Sequence, residues 1–533
     1  MAGSLLQNPS PSLDTFLQPL RVDGDRVFAL SRGFASTFAH LAADSLDQFL
    51  STPITESILL PPRKRQQGTY LAIDIGGTNL RVGFIELGGG QTLSHDGELA
   101  SDGPSSPALR RLHERNWPIQ EHLKSQNADS LFKWIGGCIA AVVRDGTASF
   151  GLPADEALPM GVTFSFPMEQ ESLSEAKLMA MGKGFAMTPK LDLGSHLIRG
   201  YEIAQAESAA KDSCSLVLPP ITVAAITNDA VATLVSFVYE VQARRAQGNQ
   251  KAAMGLICGT GSNATLLLKR SLLHPSKLPE RVNGDDDMRI AVNTEWSING
   301  SEGAMRAVGF VSRWDDQLSQ TVEAPGFQPL EYMTAGRYLG ELGRIMLVDY
   351  VTSVLGLPED ALPAKFLRRF DPRKTTFLSH YRPGKRQSLL AMLEAEFPVE
   401  ELPSGRPPFQ WTGEIAAALY HIAKAIETRA AAVIAAATIG LLDCAGELPA
   451  ASSGSAPLEL VVGYTGGCIT NFQDYLVDCQ AFLDDIVAQR YSSQLPAPPS
   501  VRVVLSPCHD GGIKGAGILV PASLASQGRV YGS

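Results

Sequence analysis

A strand pattern interrupted by a glycine-rich turn occurs twice in the sequence, and this repetition limits the possible folds more than any other feature. The first unit, Tyr70–Phe84, has two apolar runs joined by Gly-Gly-Thr-Asn at positions 76–79. The second, Ala253–Leu268, has two apolar runs joined by Gly-Thr-Gly-Ser-Asn at positions 259–263. Short apolar runs bounded by turn residues are typical of strands. The two units therefore predict two related halves that face each other across a cleft.

Other strand and helix patterns alternate along the chain, which is typical of an α/β protein. Apolar residues at helical spacing over Leu13–Leu50 predict one or two helices before the first sheet. Further strands are predicted at Met160–Phe166, Ile221–Thr227, Leu458–Val462 and Val501–Leu505. Further helices are predicted at Leu131–Arg144, Ala230–Ala246, Glu331–Leu355 and Thr412–Leu442.

Charge and cysteine content exclude several classes of protein. The chain has 45 Lys and Arg against 55 Asp and Glu, a net charge of −10, which argues against nucleic acid as a main ligand and against a polybasic membrane surface. The 7 cysteines form no CxxC or Cys/His cluster, so reduced thiols are expected. Neither a secretory leader nor an apolar run long enough to span a bilayer is recognisable, and a cytoplasmic protein is expected.

The glycine-rich turns suggest a phosphate site. Besides the two turns above, glycine-rich turns follow the predicted strands that end at Val462 and Leu505. Glycine lets backbone N–H groups approach phosphate oxygens closely, although each turn alone is more typical of an ordinary connection. Asp74 favours the phosphate site, because a carboxylate inside an apolar strand needs polar partners or metal-bound water. Together with Thr78 and Arg81, it predicts a site for Mg²⁺ and terminal phosphates.

Asn228 and Asp229 lie where a predicted strand ends and a predicted helix begins. One interpretation is a helix N-cap. The other is a general base at the mouth of a cleft, which would accept the proton of a hydroxyl that attacks a phosphate. Polar residues beside apolar segments would form a pocket for a polyhydroxylated ligand, and the candidates are Lys183, Asn228, Asn263, Glu295 and Glu331.

Two other functions are disfavoured by the residues themselves. Positions 259–264 fit the dinucleotide-binding pattern GxGxxA, but that pattern must open a helix and the following Thr-Leu-Leu-Leu-Lys is typical of a strand. Cys508, His509 and Asp510 include the residue types of a nucleophilic triad. Three consecutive residues, however, do not easily adopt the geometry of nucleophile, base and orienting group.

The motifs taken together, in order from about residue 25 to residue 520, resemble those of the eukaryotic hexokinases. Positions 71–81 (LAIDIGGTNLR) look like the first phosphate motif of that family. Positions 163–167 (TFSFP) with Gln170, and then Lys183-Gly-Phe, are similar to its sugar-binding segment. The other elements of the family are matched by 227–229 (TND), 259–263 (GTGSN), 293–296 (NTEW), Glu331 and 336–341 (GRYLGE).

This resemblance implies an α/β protein with the actin-like ATPase (ribonuclease H-like) fold, in which two α/β domains close over a central cleft. It also implies transfer of the γ-phosphoryl group of MgATP to the 6-hydroxyl of a small-molecule sugar by a monomer or homodimer. The implied division is an N-terminal helical segment (1–67) packing on the large domain, a small α/β domain (68–229), a large α/β domain (230–505) and a C-terminal segment (506–533) that returns to the small domain.

The same resemblance implies a role for each matching site residue. Asp229 would be the catalytic base, and Asp74 would act on Mg²⁺ through water. The sugar would be held by Ser165, Lys183, Asn228, Asp229, Asn263, Glu295 and Glu331. The nucleotide would be held by Asp74, Gly76, Gly77, Thr78, Asn79, Arg81, Gly259, Thr260, Gly336, Arg337, Thr375, Ser379, Gly466, Gly511 and Gly512.

One sugar-binding segment departs from the family pattern. The usual Trp-Thr-Lys-Gly-Phe is Met-Gly-Lys-Gly-Phe at 181–185, so a threonine hydroxyl expected to contact the sugar is missing. Positions 268–277, 333–339 and 463–467 resemble fungal N-acetylglucosamine kinases of hexokinase type. N-acetylglucosamine is therefore the predicted substrate. The alternatives are a glucokinase or general hexokinase, and a catalytically weak hexokinase-like regulator that senses sugar.

Overall fold

The structure, a computed structural model, contains in its described residues two large mixed sheets, a small two-stranded antiparallel sheet and the helices that pack on them. It describes residues 9–59, 68–88, 109–120, 122–123, 128–166, 168–179, 191–211, 217–243, 249–279, 285–368, 374–383, 387–399, 409–449, 457–492 and 500–530. The strands are β1 (Leu50–Thr55), β2 (Gly68–Ile75), β3 (Asn79–Leu87), β4 (Leu109–Pro118), β5 (Leu158–Phe164), β6 (Met168–Glu169), β7 (Lys177–Leu178), β8 (Ile221–Asn228), β9 (Gln250–Cys258), β10 (Ser262–Lys269), β11 (Arg289–Asn293), β12 (Leu458–Thr465) and β13 (Val501–Pro507). The α-helices are α1 (Pro11–Leu17), α2 (Gly24–Asp44), α3 (Ala128–Phe150), α4 (Leu193–Lys211), α5 (Asp229–Ala243), α6 (Glu302–Ala307), α7 (Arg313–Thr321), α8 (Pro329–Thr334), α9 (Gly336–Asp349), α10 (Ala364–Leu367), α11 (Lys374–His380), α12 (Leu389–Glu396), α13 (Gly413–Cys444), α14 (Gly467–Asn471), α15 (Tyr475–Arg490) and α16 (Gly511–Val530).

The two large sheets share one topology. The five-stranded sheet has the order β4-β3-β2-β5-β8, with β2, β3 and β4 antiparallel and with β5 and β8 parallel to β2. The six-stranded sheet repeats this order as β11-β10-β9-β12-β13, with the same directions, and adds β1 at its edge. A predicted glycine-rich turn joins β2 to β3 in one sheet and the equivalent strands β9 and β10 in the other. The internal repeat predicted from the two glycine turns is therefore confirmed in the sheet topology.

Strand β1 is an element that the helical pattern before Pro53 did not predict. It pairs antiparallel with β11, and the pairing register shifts between Ser51 and Thr55 around Pro53. Proline has no N–H group to donate to a ladder, so it is tolerated on an edge strand or at an irregularity. The N-terminal segment therefore contributes a strand to the six-stranded sheet as well as helices α1 and α2.

Helices α5 and α16 lie between the two sheets and pack against each other. Helix α16 contacts β2, β3, β5 and β8, and helix α5 contacts β9, β10 and β12. Glycines permit this close approach, because a Cβ on Gly515 would overlap the carbonyl of Ala232 and a Cβ on Gly161 would overlap the carbonyl of Ala516. The N-termini of both helices, Asp229 and Gly511, belong to predicted site motifs.

Helices α2, α13 and α15 pack against one another, and together with residues of the six-stranded sheet they form the largest hydrophobic core of the described residues. Helix α13 is long and apolar enough to cross a membrane by length and composition, but 89% of its most apolar window is buried within the protein. Its Arg429 is buried and makes hydrogen bonds of 2.6 and 2.8 Å to the two carboxylate oxygens of Asp315. A buried guanidinium needs such a partner, so this pair ties α13 to α7.

Candidate active site

The turn between β2 and β3 has the geometry of a tight glycine loop. The Gly76 N–H donates to the Asn79 carbonyl at 2.9 Å, and the Ile119 N–H donates to the Thr78 carbonyl at 2.8 Å. A Cβ on Gly77 would have nothing within 4 Å, so the backbone at this position borders open space. Thr78 and Asn79 are exposed, and the Asn79 amide donates to the Thr78 hydroxyl at 3.1 Å. The loop is thus anchored on one side and accessible on the other.

Asp74 is the residue before Ile75, the last residue of β2, and so lies just ahead of this loop. It is opposite Arg81 on β3 and Thr163 on β5. Its carboxylate is half-buried and rests against the backbone of Gly512, where a Cβ would approach Oδ2 to 2.5 Å. Burial raises the pKa of Asp74 to about 7; Arg81 opposes this shift, and the negative charge of Asp229 adds to it. Asp229 lies two residues past Thr227, and Thr227 pairs with Thr163, the partner of Asp74 on β5.

Arg81 joins the first glycine turn to the last one. Its guanidinium makes an ion pair of 2.7 Å with Asp510, which also pairs with Arg111 at 2.9 Å. Asp510 has a φ of 59°, a left-handed conformation at the residue before α16 begins. The Thr163 hydroxyl donates to the Gly512 carbonyl at 2.9 Å and holds the same turn from the β5 side. Arg81, expected as a nucleotide contact, is thus engaged in positioning the Gly511–Gly512 turn.

Asn228 and Asp229 lie at the junction of β8 and α5. The Ala230 N–H lies 2.9 Å from the side-chain oxygen Oδ1 of each residue, and the Asn228 amide donates to the Phe166 carbonyl at 3.3 Å. Asn228 therefore caps α5, as one of the two sequence interpretations held. This cap does not exclude the other interpretation, because it fixes the start of the helix from which the half-buried Asp229 carboxylate projects.

Amide and carboxylate groups of the second unit form a connected cluster. The Asn263 amide donates to Asn293 Oδ1 at 2.8 Å and to Glu295 Oε1 at 3.1 Å, and the Asn293 amide donates to the same Glu295 oxygen at 2.8 Å. The Glu295 N–H donates back to Asn263 Oδ1 at 3.1 Å. These bonds orient the Glu295 carboxylate and leave a set of fixed acceptors and donors beside the glycine turn.

Glu331 belongs to the same region. It is only 3% exposed, and its Oε2 accepts from the Ser262 N–H at 3.0 Å. Ser262 is the first residue of β10, so this bond places the Glu331 carboxylate next to the turn that carries Asn263. A buried carboxylate that accepts from a backbone N–H is held in one orientation, which suits recognition of a hydroxylated ligand.

Three further predicted nucleotide residues converge on the second glycine turn. The Gly336 N–H donates to the Gly259 carbonyl at 2.8 Å, and the Arg337 N–H donates to the Thr260 carbonyl at 3.2 Å. Gly466 has a φ of 127°, and a Cβ there would overlap the carbonyl of Cys258. Only glycine fits that conformation and that space. The start of α9 and the residue that precedes α14 are thereby fastened to the turn.

Two predicted nucleotide residues are engaged elsewhere. The hydroxyl of Thr375 accepts from the Gly340 N–H of α9 at 2.8 Å, and the hydroxyl of Ser379 donates to the Thr376 carbonyl of its own helix at 2.8 Å. Both side chains are buried on α11. In this structure they brace α11 and its contact with α9.

Of the predicted sugar residues, Ser165 lies directly after β5, where its N–H donates to the Ile75 carbonyl at 3.1 Å, and Lys183 falls outside the described residues.

Asn293 and Thr163 lie in the matched motifs 293–296 and 163–167, but neither was assigned a role, although both contact predicted site residues. Asn293 is 3% exposed and shares the Glu295 carboxylate with Asn263. The polar residue at the end of the apolar run Ile-Ala-Val-Asn could have identified it. Apart from its place in the 163–167 motif, Thr163 gives no signal of its own, because threonine is common in strands. Its role depends on the distant Gly512, which only the folded chain brings near.

Comparisons with known proteins agree with these motifs. Two models of the family described as Hexokinase match the chain, over residues 12–239 and over residues 253–522. The chain is 28% identical over 353 residues to Hexokinase-2 of Candida albicans, covering 64% of this chain and 62% of that protein. It is 28% identical over 335 residues to Hexokinase of Schistosoma mansoni, covering 60% and 63%. The matched region thus spans less than two thirds of each of these relatives.

Solved structures resemble the whole fold. Hexokinase from Schistosoma mansoni complexed with glucose superposes with a TM-score of 0.69 at 23% identity, covering 98% of this chain and 100% of that one. Another hexokinase crystal structure superposes with a TM-score of 0.63 at 21% identity, covering 96% and 98%. The expected actin-like ATPase fold is thereby confirmed. Because the family models together match most of the sequence, the chain belongs to the hexokinase family.

Proposed function

We propose that the protein is an ATP-dependent hexose kinase that transfers the γ-phosphoryl group of ATP to the 6-hydroxyl of the sugar. The observation that carries this proposal is the position of Asp229. It lies at the start of α5, two residues past Thr227, which is in register with Thr163 and Asp74 across the sheet, and Asp74 lies against the Gly512 turn. A base beside a phosphate-type loop is the arrangement that phosphoryl transfer requires.

In the proposed reaction the oxygen of the sugar 6-hydroxyl forms a bond to the γ-phosphorus, and Asp229 accepts the proton of that hydroxyl. The bond between that phosphorus and the β–γ bridging oxygen breaks, and ADP leaves. Asn228 fixes the helix start behind Asp229. Asn263, Glu295 and Glu331 hold the other sugar hydroxyls through charged and neutral hydrogen bonds. Residues 68–229 and 230–505 are the two domains that we propose close over the bound substrates.

The residues around Asp74 fit a magnesium ion bound together with ATP. A half-buried carboxylate lies between two glycine turns, with the Gly512 backbone against it where a side chain would intrude. Bound Mg²⁺ would neutralise negative charge on the phosphates. Asp74 would hold the ion through water, and the open backbone at Gly77 leaves room for phosphate oxygens.

The pH dependence of MgATP use tests the role of Asp74. Because its pKa is raised to about 7, the carboxyl is mostly protonated below that pH and mostly ionised above it. We expect the KM for MgATP to rise about tenfold from about pH 8 to about pH 6, in proportion to the lost ionised fraction. The Asp74→Asn variant should bind MgATP weakly at every pH. A steep pH dependence that persists in Asp74→Asn would assign the titration to another group.

For the sugar we propose a common hexose such as glucose, in line with the relatives named hexokinases that the chain resembles. The second candidate is N-acetylglucosamine. It is favoured by segments 268–277, 333–339 and 463–467, which resemble those of fungal N-acetylglucosamine kinases, and by glycine at position 182, where the family pattern has threonine. The loss of one sugar hydrogen bond would weaken glucose affinity by about tenfold at most.

The test is ADP production by the purified protein with MgATP and, in parallel, glucose, mannose, N-acetylglucosamine or no sugar. The proposal expects turnover that depends on sugar, with the highest kcat/KM for glucose or mannose. A clear preference for N-acetylglucosamine would support the second candidate. Sugar binding without turnover would instead indicate a sugar-sensing regulator.

A further inference from the structure

The loop that carries Glu295 is held from outside the sugar site by two residues that precede β1. Gln48 is 2% exposed, and its side-chain amide donates to the Glu295 carbonyl at 3.1 Å and lies 3.5 Å from the Ile298 carbonyl. The N–H of its neighbour Phe49 donates to the Thr294 carbonyl at 2.9 Å. A segment far away in sequence thus bonds to the loop on both sides of one proposed sugar-binding residue.

Phe49 in this segment and Glu295 in the loop both have backbone conformations that need support from neighbouring contacts. Phe49 has a φ of 51° and Glu295 a φ of 45°, the left-handed region that non-glycine residues rarely adopt. Such residues persist where neighbouring contacts determine their conformation. The buried Phe49 ring packs near Phe38, with centroids 5.9 Å apart, which holds its backbone in place. The Glu295 side chain points into the amide cluster, where Asn263 and Asn293 bind its carboxylate.

Glu295 is consequently constrained from two directions. On the side of the proposed sugar site, Asn263 and Asn293 bind its carboxylate, and Asn263 also accepts from its N–H. On the other side, its carbonyl accepts from the Gln48 amide and from the Ile298 N–H at 3.2 Å. The direction of the carboxylate depends on the local backbone, so the Gln48 bond contributes to aiming it.

We propose that Gln48 is a positioning residue for the sugar site, acting through the carbonyl of Glu295. This inference rests on the proposed function, because it assigns Glu295 to sugar binding. Gln48 touches neither reactant. Its loss should therefore change sugar affinity while leaving the nucleotide side and the phosphoryl-transfer step nearly unchanged, a pattern that a general loss of stability would not produce.

The decisive variant is Gln48→Met, which keeps the size of the side chain and removes the donor. The dissociation constant and the KM for the preferred sugar should rise about three- to tenfold, as expected for one lost buried hydrogen bond. The kcat at saturating sugar and the KM for MgATP should stay within about twofold of wild type. If Gln48→Met does not fold, Gln48→Leu tests the same donor.

Thr52→Val is the matched control. Thr52 lies in the same segment, is 4% exposed, and its hydroxyl donates to the Ala291 carbonyl at 2.8 Å, within β11 and before the Glu295 loop. It should lower the melting temperature as Gln48→Met does without changing sugar affinity. Unchanged sugar affinity in Gln48→Met, or an equal change in Thr52→Val, would overturn the inference.

Calorimetric titration with sugar alone separates this inference from the proposed function. A wild-type protein that binds sugar but does not phosphorylate it would contradict the proposed kinase, and the Gln48→Met dissociation constant would still decide the positioning role. A wild-type protein that binds none of the sugars tested would overturn both.

Discussion

Replacing Asp229 with alanine should lower kcat by about 10²- to 10⁴-fold, the contribution typical of a positioned general base. The variant loses the group that accepts the hydroxyl proton, but its sugar contacts through Asn263 and Glu295 lie on another strand and loop. The helix start should survive, because the Asn228 side chain still accepts from the Ala230 N–H. Steady-state kinetics, sugar titration and thermal unfolding of one preparation measure these three effects.

Asp129→Ala is the matched control for this experiment. Asp129 is also an aspartate in the first turn of a helix, α3, and its side chain is exposed. It should retain wild-type kcat, whereas Asp229→Asn should be nearly as impaired as Asp229→Ala. A kcat for Asp229→Ala within tenfold of wild type would contradict the assignment of Asp229 as base.

The Gly512→Ala variant should lose MgATP efficiency on the order of a hundredfold, although it adds only one methyl group. That methyl would lie 2.5 Å from Asp74 Oδ2 and 2.6 Å from its Cγ, distances that real Cβ contacts do not adopt. The carboxylate or the α16 turn must move, and both belong to the proposed MgATP site. Both quantities are measured on the same protein. The kcat/KM for MgATP should fall, whereas the sugar dissociation constant should stay close to that of wild type.

The control is Gly137→Ala. A Cβ at Gly137 in α3 has nothing within 4 Å, and alanine is the better helix former, so activity should be unchanged and stability slightly raised. If Gly512→Ala keeps the wild-type kcat/KM for MgATP, the contact between this turn and Asp74 has no part in nucleotide use.

Sequence reasoning succeeded where the signal is local. Each glycine-rich turn joins two apolar runs, and the runs form β2 and β3 or β9 and β10 with the predicted turns between them. The strands that precede Asn228 and Gly466 were also found, because apolar runs bounded by polar or glycine residues are strand signals in themselves. The second of these strands, β12, runs to Thr465, so residues 463–465, which were predicted as part of a turn, belong to the strand. The fold class followed from the alternation of these elements.

Local sequence patterns did not predict the features that depend on contacts between distant residues. The predicted helix over Glu331–Leu355 is divided at Ala335, whose neighbour Gly336 donates its N–H to the carbonyl of the remote Gly259. The ion pair between Arg81 and Asp510 joins residues that are 429 positions apart in the sequence, and no periodicity predicts it. The same limit concealed the contact of Gln48 with the Glu295 loop.

The measurement that tests the account most directly is the fate of the γ-phosphoryl group. The purified protein is incubated with γ-labelled ATP, Mg²⁺ and either the preferred sugar or its 6-deoxy analogue, and the sugar products are separated and identified. The account predicts label on the 6-oxygen of the sugar, none with the 6-deoxy analogue, and almost none with Asp229→Ala. Label on another hydroxyl, or label on the 6-deoxy analogue at a comparable rate, would contradict it.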